Sequence, residues 1–263
     1  MTIGKPNEES GSQPWKDRVA LVTGAGRGIG RAIALGLAAD GARVALLARS
    51  QGELDEVAKS VHDQGGLALV VRADVGDPDQ AERAAAHTLA ELGTVDILVN
   101  NAAVVWPLAP TTTVDPAEWA AAIAINVVGP FILTSALLPA MIDHGWGRIV
   151  NVSSAIAARP AFMIGGNAYA TSKAALEAHT LNLSAELTGT GVTVNVFRPG
   201  SVDTAMQGWI RSQSPDRIGL ALHQSFTRSY EEGSLLTPEQ SARSLLAHLA
   251  SDATGEIWTG TDA

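Results

Sequence analysis

The 263-residue sequence contains no cysteine and is poor in basic residues. Without cysteine there can be no disulfide framework, no thiolate nucleophile and no cysteine-based zinc or iron–sulfur site. The six histidines are scattered and form none of the spaced pairs typical of a metal site, so no metal is expected. Lys and Arg total 18 against 27 Asp and Glu, a net charge of −9, which argues against a nucleic-acid-binding protein.

Long apolar runs are also missing. No window of about 18 residues is apolar throughout, so no membrane-spanning helix and no membrane partner is expected. The first 14 residues are polar and lack the apolar core of a signal peptide. They predict a flexible tail over 1–14 followed by one domain over 15–263, and a cytoplasmic location. With 46% hydrophobic and 17% charged residues, the chain has the composition of a globular protein.

Six short apolar runs alternate with longer, alanine-rich segments of helical periodicity. Such runs are typical of strands buried on both faces of a sheet. They lie at Val19–Val22, Val44–Leu47, Leu67–Val71, Val95–Val99, Ile149–Val152 and Val192–Phe197. The alternation predicts an α/β fold with a parallel, doubly wound sheet and helices on both faces.

Three predicted helix starts support this fold, and one long segment interrupts the alternation of strands and helices. Asp77, Asp115 and Thr237 each precede a proline, with Glu or Gln at the third helical position, and predict N-caps. Gly41 is predicted to end the first helix. The segment Ser201–Leu236 is long and contains no predicted strand, and we expect it to form a lid over a substrate site.

A glycine-rich turn follows the first predicted strand. Residues 23–30 read TGAGRGIG, so Thr23, Gly24, Gly28 and Gly30 give the pattern T-G-x₃-G-x-G. A turn between strand and helix can bind a pyrophosphate through backbone N–H groups at the helix N-terminus. The simpler alternative is a glycine-rich turn that binds nothing.

The end of the second predicted strand bears on the cofactor. Arg49 stands there, no carboxylate follows until Glu53, and Arg27 lies inside the glycine turn. A carboxylate at this point would bind the ribose hydroxyls of NAD, whereas arginine accommodates the 2′-phosphate of NADP. The pattern favours NADP(H), with NAD less favoured; the alternative is that both arginines are solvated surface groups.

Lys173 lies four positions after Tyr169, so on a helix the two side chains share a face. An ammonium beside a phenol stabilises the phenolate and favours proton exchange with an alcohol or carbonyl oxygen. Ser154 follows the predicted strand Ile149–Val152, at the sheet edge where ligands bind in parallel sheets. Ser153 is the alternative contact for the same substrate oxygen.

With these motifs in place, the chain resembles the short-chain dehydrogenase/reductase family from about Trp15 to Trp258. The resemblance implies a single Rossmann domain with a mostly parallel seven-stranded sheet, a nicotinamide cofactor and oxidoreductase activity. The motifs that carry it are Thr23–Gly30, Ala73-Asp74-Val75, Asn100-Asn101-Ala102-Ala103, Asn126, Ser154, Tyr169-x₃-Lys173 and Pro199-Gly200-x-Val202-x-Thr204.

The resemblance also implies residue roles. Tyr169 would be the general acid/base, Ser154 would polarise the carbonyl oxygen, and Lys173 would bind the nicotinamide ribose and lower the pKa of Tyr169. Asn126 would anchor a water in the proton relay, or alternatively only satisfy a helix kink. The residues expected to bind the cofactor are Gly24, Arg27, Gly28, Ile29, Gly30, Arg49, Asp74, Val75, Asn101, Ala102, Tyr169, Lys173, Pro199, Gly200, Val202 and Thr204. Asn100 is expected to line the same cleft, and Asp74 has the alternative of a strand-end turn residue.

The sequence departs from the family pattern at Ala103 and Ala157, where glycine is usual, and in a longer spacing from Ser154 to Tyr169. The C-terminal segment is also short. These departures bear on substrate shape and subunit contacts rather than on the chemistry.

The substrate wall is expected from residues 104–107, 156–167 and the lid. Its large side chains are Trp106, Phe162, Met163, Met206 and Trp209, which favour an apolar or aromatic ketone or secondary alcohol. The alternative is that these side chains only pack beneath the lid. Arg159 could instead bind a carboxylate or the phosphopantetheine of an acyl carrier.

The sequence therefore predicts an NADP(H)-dependent carbonyl reductase that interconverts a ketone and a secondary alcohol. The alternatives are a 3-oxoacyl-carrier-protein reductase-like enzyme and a non-catalytic NADP-binding regulator; an epimerase or dehydratase fits the glycine turn poorly. The resemblance implies a homotetramer or homodimer formed through the helices predicted at Glu118–Ile142 and Ala168–Leu187.

Overall fold

A seven-stranded parallel sheet forms the centre of the computed structural model, which describes residues 13–260. The strands run in the order β3-β2-β1-β4-β5-β6-β7. Their bounds are β1 Val19–Thr23, β2 Arg43–Ala48, β3 Ala68–Arg72, β4 Ile97–Asn100, β5 Gly147–Val152, β6 Val192–Arg198 and β7 Ile257–Thr259. This is a Rossmann fold, and the six runs read from the sequence are confirmed as strands. The expected tail over 1–14 lies outside the described residues except for Gln13 and Pro14.

Helices cover both faces of the sheet. Their bounds are α1 Gly28–Ala39, α2 Gln51–Asp63, α3 Pro78–Leu92, α4 Pro116–Ile123, α5 Gly129–Asp143, α6 Asn167–Glu186, α7 Ala205–Arg211, α8 Pro215–Ile218, α9 Leu220–Glu231 and α10 Pro238–Leu249. One core packs α1, α2 and α10 on the sheet, and a second packs α3, α5 and α6 on the opposite face. Burial of both faces explains why the strands are apolar throughout.

The predicted helix caps are present. The carboxylate of Asp77 accepts from the backbone N–H of Gln80 at 3.1 Å. Thr237 and Gln240 form a reciprocal capping box at the start of α10. Asp115 bonds the N–H of Ala117, one residue earlier than the pattern predicts. Each cap satisfies an N–H group that the helix itself leaves unpaired.

The predicted helix Glu118–Ile142 is interrupted. A five-residue π-helical segment, Ala124–Val128, joins α4 to α5 and contains the buried Asn126. The whole stretch Pro116–Asp143 is long and apolar enough to cross a bilayer by length and composition, contrary to the expectation from the sequence, because polar residues interrupt its apolar runs. Leu133, Leu137 and Met141 pack it into the core beside the sheet, as expected of a core helix of a globular domain.

The segment expected to form a lid folds into three short helices, α7, α8 and α9. Its two ends meet in an isolated parallel bridge between Val202 and Leu236. The Arg217 guanidinium Nε donates to the carbonyl of Leu108 at 3.1 Å and ties the segment to the loop after β4. The lid therefore stands over the carboxyl ends of the strands.

Candidate active site

One cavity of about 1040 Å³ opens at the carboxyl ends of the strands. Most of the predicted cofactor residues line it. These are Gly24, Arg27, Gly28, Ile29, Arg49, Asp74, Val75, Asn101, Ala102, Tyr169, Lys173, Pro199, Gly200, Val202 and Thr204. Gly30 and Asn100 do not line it. A cavity at this edge is where ligands of open parallel sheets bind.

The glycine turn is packed too tightly for larger residues. Gly24 and Gly28 have φ values of +64° and +54°, which glycine adopts without the strain of a side chain. A Cβ atom on Gly30 would lie 2.3 Å from the carbonyl oxygen of Gly24. Gly30 therefore lies behind the cavity lining, where it lets α1 approach the turn. The resulting cradle at the N-terminus of α1 fits the pyrophosphate of a dinucleotide.

Thr23 joins the glycine turn to the segment after β4. Its hydroxyl accepts the backbone N–H groups of Asn101 and Ala102, both at 2.9 Å. The Asn101 side-chain amide donates back to the Thr23 carbonyl at 2.9 Å. Asn100, expected in the cleft, instead donates to Asn151 at 2.9 Å inside the sheet. Asn100 is the last residue of β4 and its side chain is buried within the sheet, which explains this difference.

The rim at the ends of β2 and β3 is mixed in charge. Arg27 lies 3.4 Å from Glu53, and Arg49 lies 3.7 Å from Asp74. Both arginine side chains are more than 60% exposed, so these ion pairs are weak and can exchange partners. Glu53 lines the cavity although the sequence analysis did not include it in the site. Glu53 lies on the first turn of α2, directly after β2, and this position in the sequence could have indicated that it belongs to the site.

Tyr169, Ser154 and Lys173 meet midway along the cavity. The hydroxyl of Ser154 is hydrogen-bonded to the Tyr169 phenol and accepts the N–H of Ile156 at 3.3 Å. The Lys173 Nζ donates to the carbonyl of Val152 at 2.7 Å and lies 5.7 Å from the centre of the Tyr169 ring. The i, i+4 spacing on α6 and the end of β5 thus bring together the three predicted groups.

Burial controls the protonation of this group. It raises the pKa of the Tyr169 phenol above its ordinary value of 10, and the hydrogen bond with Ser154 opposes that change. Desolvation of the phenol therefore outweighs its stabilising contacts in the protein alone, and the expectation that Lys173 lowers the pKa of Tyr169 stays a prediction. Burial lowers the pKa of Lys173 to about 8, and the charge of Glu177 acts in the opposite direction.

Ser153 also lines the cavity, but its hydroxyl is bonded elsewhere. Its hydroxyl donates to the Glu177 carboxylate at 2.7 Å, and the same carboxylate accepts two bonds from Arg198 at 2.7 and 2.8 Å. The alternative in which Ser153 replaces Ser154 as the substrate contact is therefore disfavoured. The network around Glu177 was not predicted, although its i, i+4 spacing from Lys173 is visible in the sequence.

Asn126 lies fully buried behind the cavity and does not line it. Its amide oxygen accepts the N–H of Val104, and its Nδ2 donates to the carbonyl of Val104, both at 2.8 Å. The same Nδ2 donates to Ser172 at 3.0 Å, and Ser172 donates to the Tyr169 carbonyl at 2.8 Å. The Asn126 side chain thus positions the loop after β4 and the first turn of α6, whereas its role toward a relay water stays a prediction.

The half of the cavity beneath the lid is apolar. Trp106, Met163, Met206 and Trp209 line it as predicted, together with Gln207 and Phe226 of the lid segment that was expected to supply the substrate wall. The predicted wall residue Phe162 does not line it: its 3₁₀ turn after β5 leaves the ring 71% exposed. Arg159 is likewise exposed and outside the lining, and it stacks loosely on Phe162 at 6.0 Å.

The chain belongs to the short-chain dehydrogenase family, whose model matches residues 18–215. It is 35% identical to the cis-4-hydroxycyclohexanecarboxylate dehydrogenase of Sinomonas cyclohexanicum over 241 residues, 92% of each protein. It is 37% identical to the 3-oxoacyl-[acyl-carrier-protein] reductase of Synechocystis over 193 residues, which cover 72% of this chain and 76% of that protein. The chain is therefore an oxidoreductase of this family.

Solved structures agree with the fold. A putative NAD(P)-dependent gluconate 5-dehydrogenase from Beutenbergia cavernae, with NADP bound, superposes with a TM-score of 0.83 at 35% identity, covering 95% of this chain and 97% of that one. Two other similar structures hold NADPH in one case and NAD⁺ in the other. A nicotinamide dinucleotide is therefore supported as the cofactor class.

Proposed function

We propose that this protein is an NADP(H)-dependent carbonyl reductase that interconverts a ketone and a secondary alcohol. The observation that carries the proposal is the position of the Tyr169–Ser154–Lys173 group. It stands where the glycine-lined half of the cavity meets the apolar half. A substrate oxygen held by this group would present its carbon to the nicotinamide, which supplies or accepts the hydride when bound.

The three side chains then take distinct roles. Tyr169 donates the proton to the substrate oxygen during reduction and removes it during oxidation. Ser154 donates a hydrogen bond to the same oxygen and opposes the desolvation of the phenol. Lys173 supplies the positive charge beside Tyr169 and a donor for the ribose. Asn126 is proposed as a positioning residue that acts through Ser172.

The preference for NADP(H) rests on Arg27 and Arg49, which line the rim from two directions. A 2′-phosphate placed between them would replace weak contacts with Glu53 and Asp74 by charge-assisted bonds. The two carboxylates lower the net positive charge of this rim. We therefore propose a preference for NADPH over NADH rather than exclusion of NADH.

The substrate is proposed to be a neutral ketone or secondary alcohol with an apolar or aromatic body. Among the described residues that line the cavity, the half beneath the lid presents no charged side chain other than Lys173. Trp106, Trp209 and Phe226 offer ring surfaces to a flat ligand. Arg159, outside the lining, does not provide a carboxylate site there.

A second candidate is favoured by one comparison. The 37% identity to a 3-oxoacyl-[acyl-carrier-protein] reductase supports a substrate carried as an acyl thioester. Such a substrate would need an anion contact for its phosphopantetheine near the cavity mouth, and the exposed Arg159 is the proposed contact. A β-ketoacyl thioester in the assay panel separates the two candidates.

The proposed assembly is a homodimer or homotetramer formed through the outer faces of α5 and α6. Val128, Phe131 and Leu181 on this stretch are 39%, 54% and 42% exposed. Large apolar side chains clustered at a surface are typical of protein contacts. A second copy of the chain is the proposed partner.

The test follows the absorbance of NADPH and NADH at 340 nm over aryl ketones, cyclic ketones, diketones and a β-ketoacyl thioester. Tyr169→Phe is expected to lose about two to four orders of magnitude in turnover while NADPH binding is kept. The matched control is Tyr230→Phe, which removes the second tyrosine of the chain from the exposed end of α9. Turnover retained by Tyr169→Phe would refute the mechanism, and NADPH binding without turnover of any panel member would favour a regulator.

A further inference from the structure

A buried acid–base network lies beside Lys173, with Glu177 and Arg198 outside the cavity lining and Ser153 within it. Glu177 is 8% exposed and accepts bonds from Arg198 Nε at 2.8 Å, Arg198 Nη2 at 2.7 Å and Ser153 Oγ at 2.7 Å. Three directed bonds, two of them to a guanidinium, fix a carboxylate in orientation. Charges are rarely buried to this extent without a partner, and here the partner is supplied by β6.

The network joins the three elements that hold the catalytic group. Glu177 lies one turn after Lys173 on α6, Ser153 follows β5, and Arg198 ends β6. Val152, next to Ser153, accepts the Lys173 ammonium at 2.7 Å. The end of β5 therefore contacts Lys173 through the Val152 carbonyl and Glu177 through the Ser153 hydroxyl.

The electrostatics of Lys173 depend on this carboxylate. Burial alone disfavours the ammonium, and the pKa of Lys173 of about 8 already includes the opposing effect of the Glu177 charge. Removal of that charge would leave desolvation uncompensated. The charged and titratable groups placed around the ammonium by the described elements are Tyr169 and Glu177 on α6 and Arg198 at the end of β6, and the segment after β5 contributes the neutral Ser153 and Ser154.

We propose that Glu177 is a positioning residue: bonded to Arg198 and Ser153, it fixes the end of β5, whose Val152 carbonyl holds the Lys173 ammonium, and its negative charge stabilises that ammonium. Glu177 does not line the cavity, so it acts through Lys173 and not by contact with substrate or cofactor. Arg198 limits how strongly the carboxylate acts, because its two bonds draw the negative charge toward β6. The kinetic part of this inference rests on the proposed function, whereas its electrostatic part does not.

The direct measurement is the titration of Lys173 in the full-length protein. The chain has only four lysines, at positions 5, 16, 59 and 173. Biosynthetic ¹³C labelling at the lysine ε-carbon gives few NMR signals, and Lys173→Arg identifies the one that belongs to Lys173. We expect its midpoint near pH 8 in the wild type, because burial lowers the pKa of Lys173 to about 8.

Two substitutions should move that midpoint in opposite directions. Glu177→Gln removes the carboxylate and is expected to lower the midpoint by about one pH unit. Arg198→Gln frees the carboxylate to interact with Lys173 and is expected to raise it. If Glu177 and Arg198 formed only a structural ion pair, both variants would be less stable, but their Lys173 midpoints would not shift in opposite directions. An unchanged midpoint in Glu177→Gln, or shifts of the same sign in the two variants, would overturn the proposal.

The control is Asp252→Asn, which removes the carboxylate paired with the buried Arg148 at the opposite end of β5. It should leave the Lys173 midpoint unchanged. A shift as large as that of Glu177→Gln would show that loss of any carboxylate has this effect, and would overturn the proposal. In turnover, the alkaline limb of the kcat/KM profile for ketone reduction should move with the NMR midpoint. Absence of turnover in the wild type would refute the proposed function, while the titration would still decide the role of Glu177.

Discussion

Replacement of Gly30 by alanine tests the packing of the glycine turn. The new Cβ would lie 2.3 Å from the Gly24 carbonyl oxygen and 2.5 Å from the Asn101 amide nitrogen. Ordinary carbon–oxygen contacts are about 3.3 Å or longer, so the turn and α1 must separate by about 1 Å. Neither neighbour yields easily, because one is backbone and the other is bonded to Thr23. We expect a loss of about 3 kcal/mol of stability, at the upper end of overpacking costs.

The assay is thermal unfolding by circular dichroism together with NADPH titration by fluorescence. For a domain of this size, about 3 kcal/mol corresponds to a decrease in Tm of about 6–12 °C. NADPH should bind about tenfold more weakly, because the N–H groups of the turn are displaced. Gly52→Ala is the matched control: a Cβ there meets no atom within 4 Å, so stability should stay or rise by up to about 1 kcal/mol. Equal Tm and NADPH affinity in the two variants would refute the packing argument.

Three further predictions concern the cofactor, a helix cap and the assembly. Arg49→Ser should reduce the ratio of kcat/KM with NADPH to kcat/KM with NADH about tenfold. An unchanged ratio would show that Arg49 does not bind the 2′-phosphate. Thr237→Ala should cost about 1 kcal/mol through loss of the α10 capping box, seen as a lower Tm with unchanged kcat; a normal Tm would show that the cap contributes nothing. Phe131→Glu should reduce the particle mass in light scattering to that of the 27.2 kDa chain, whereas a wild type that already has this mass would contradict the proposed assembly.

The parts of the fold that follow from local chemistry were predictable. Strand positions follow from apolar runs, and the caps at Asp77 and Thr237 follow from side chains that bond N–H groups three residues away. Tyr169 and Lys173 were also predictable as a pair, because helical spacing alone places them on one face. In each case the partners are close in sequence.

The remaining features depend on contacts between distant segments. The pairing of Glu177 with Arg198 requires the end of β6 to lie beside α6, and no local sequence pattern predicts that contact. Asn100 and Asn101 are adjacent and chemically alike, yet strand alternation places one in the core and the other at the cavity. The π-helical turn at Asn126 likewise depends on bonds to Val104 that only the folded chain provides.

The bridge between Val202 and Leu236 has an evolutionary consequence. Because the two ends of the lid are joined to each other, the segment between them leaves and re-enters the domain at a single point. Changes of length or sequence in α7, α8 and α9, which follow the cofactor-site residues Val202 and Thr204, need not alter the glycine turn, the rim arginines or the Tyr169 group. Surface segments closed in this way tolerate insertion and exchange better than segments that span a core. The three lid helices α7, α8 and α9 are therefore a module that could be exchanged with those of a relative, giving a new substrate range on an unchanged cofactor half.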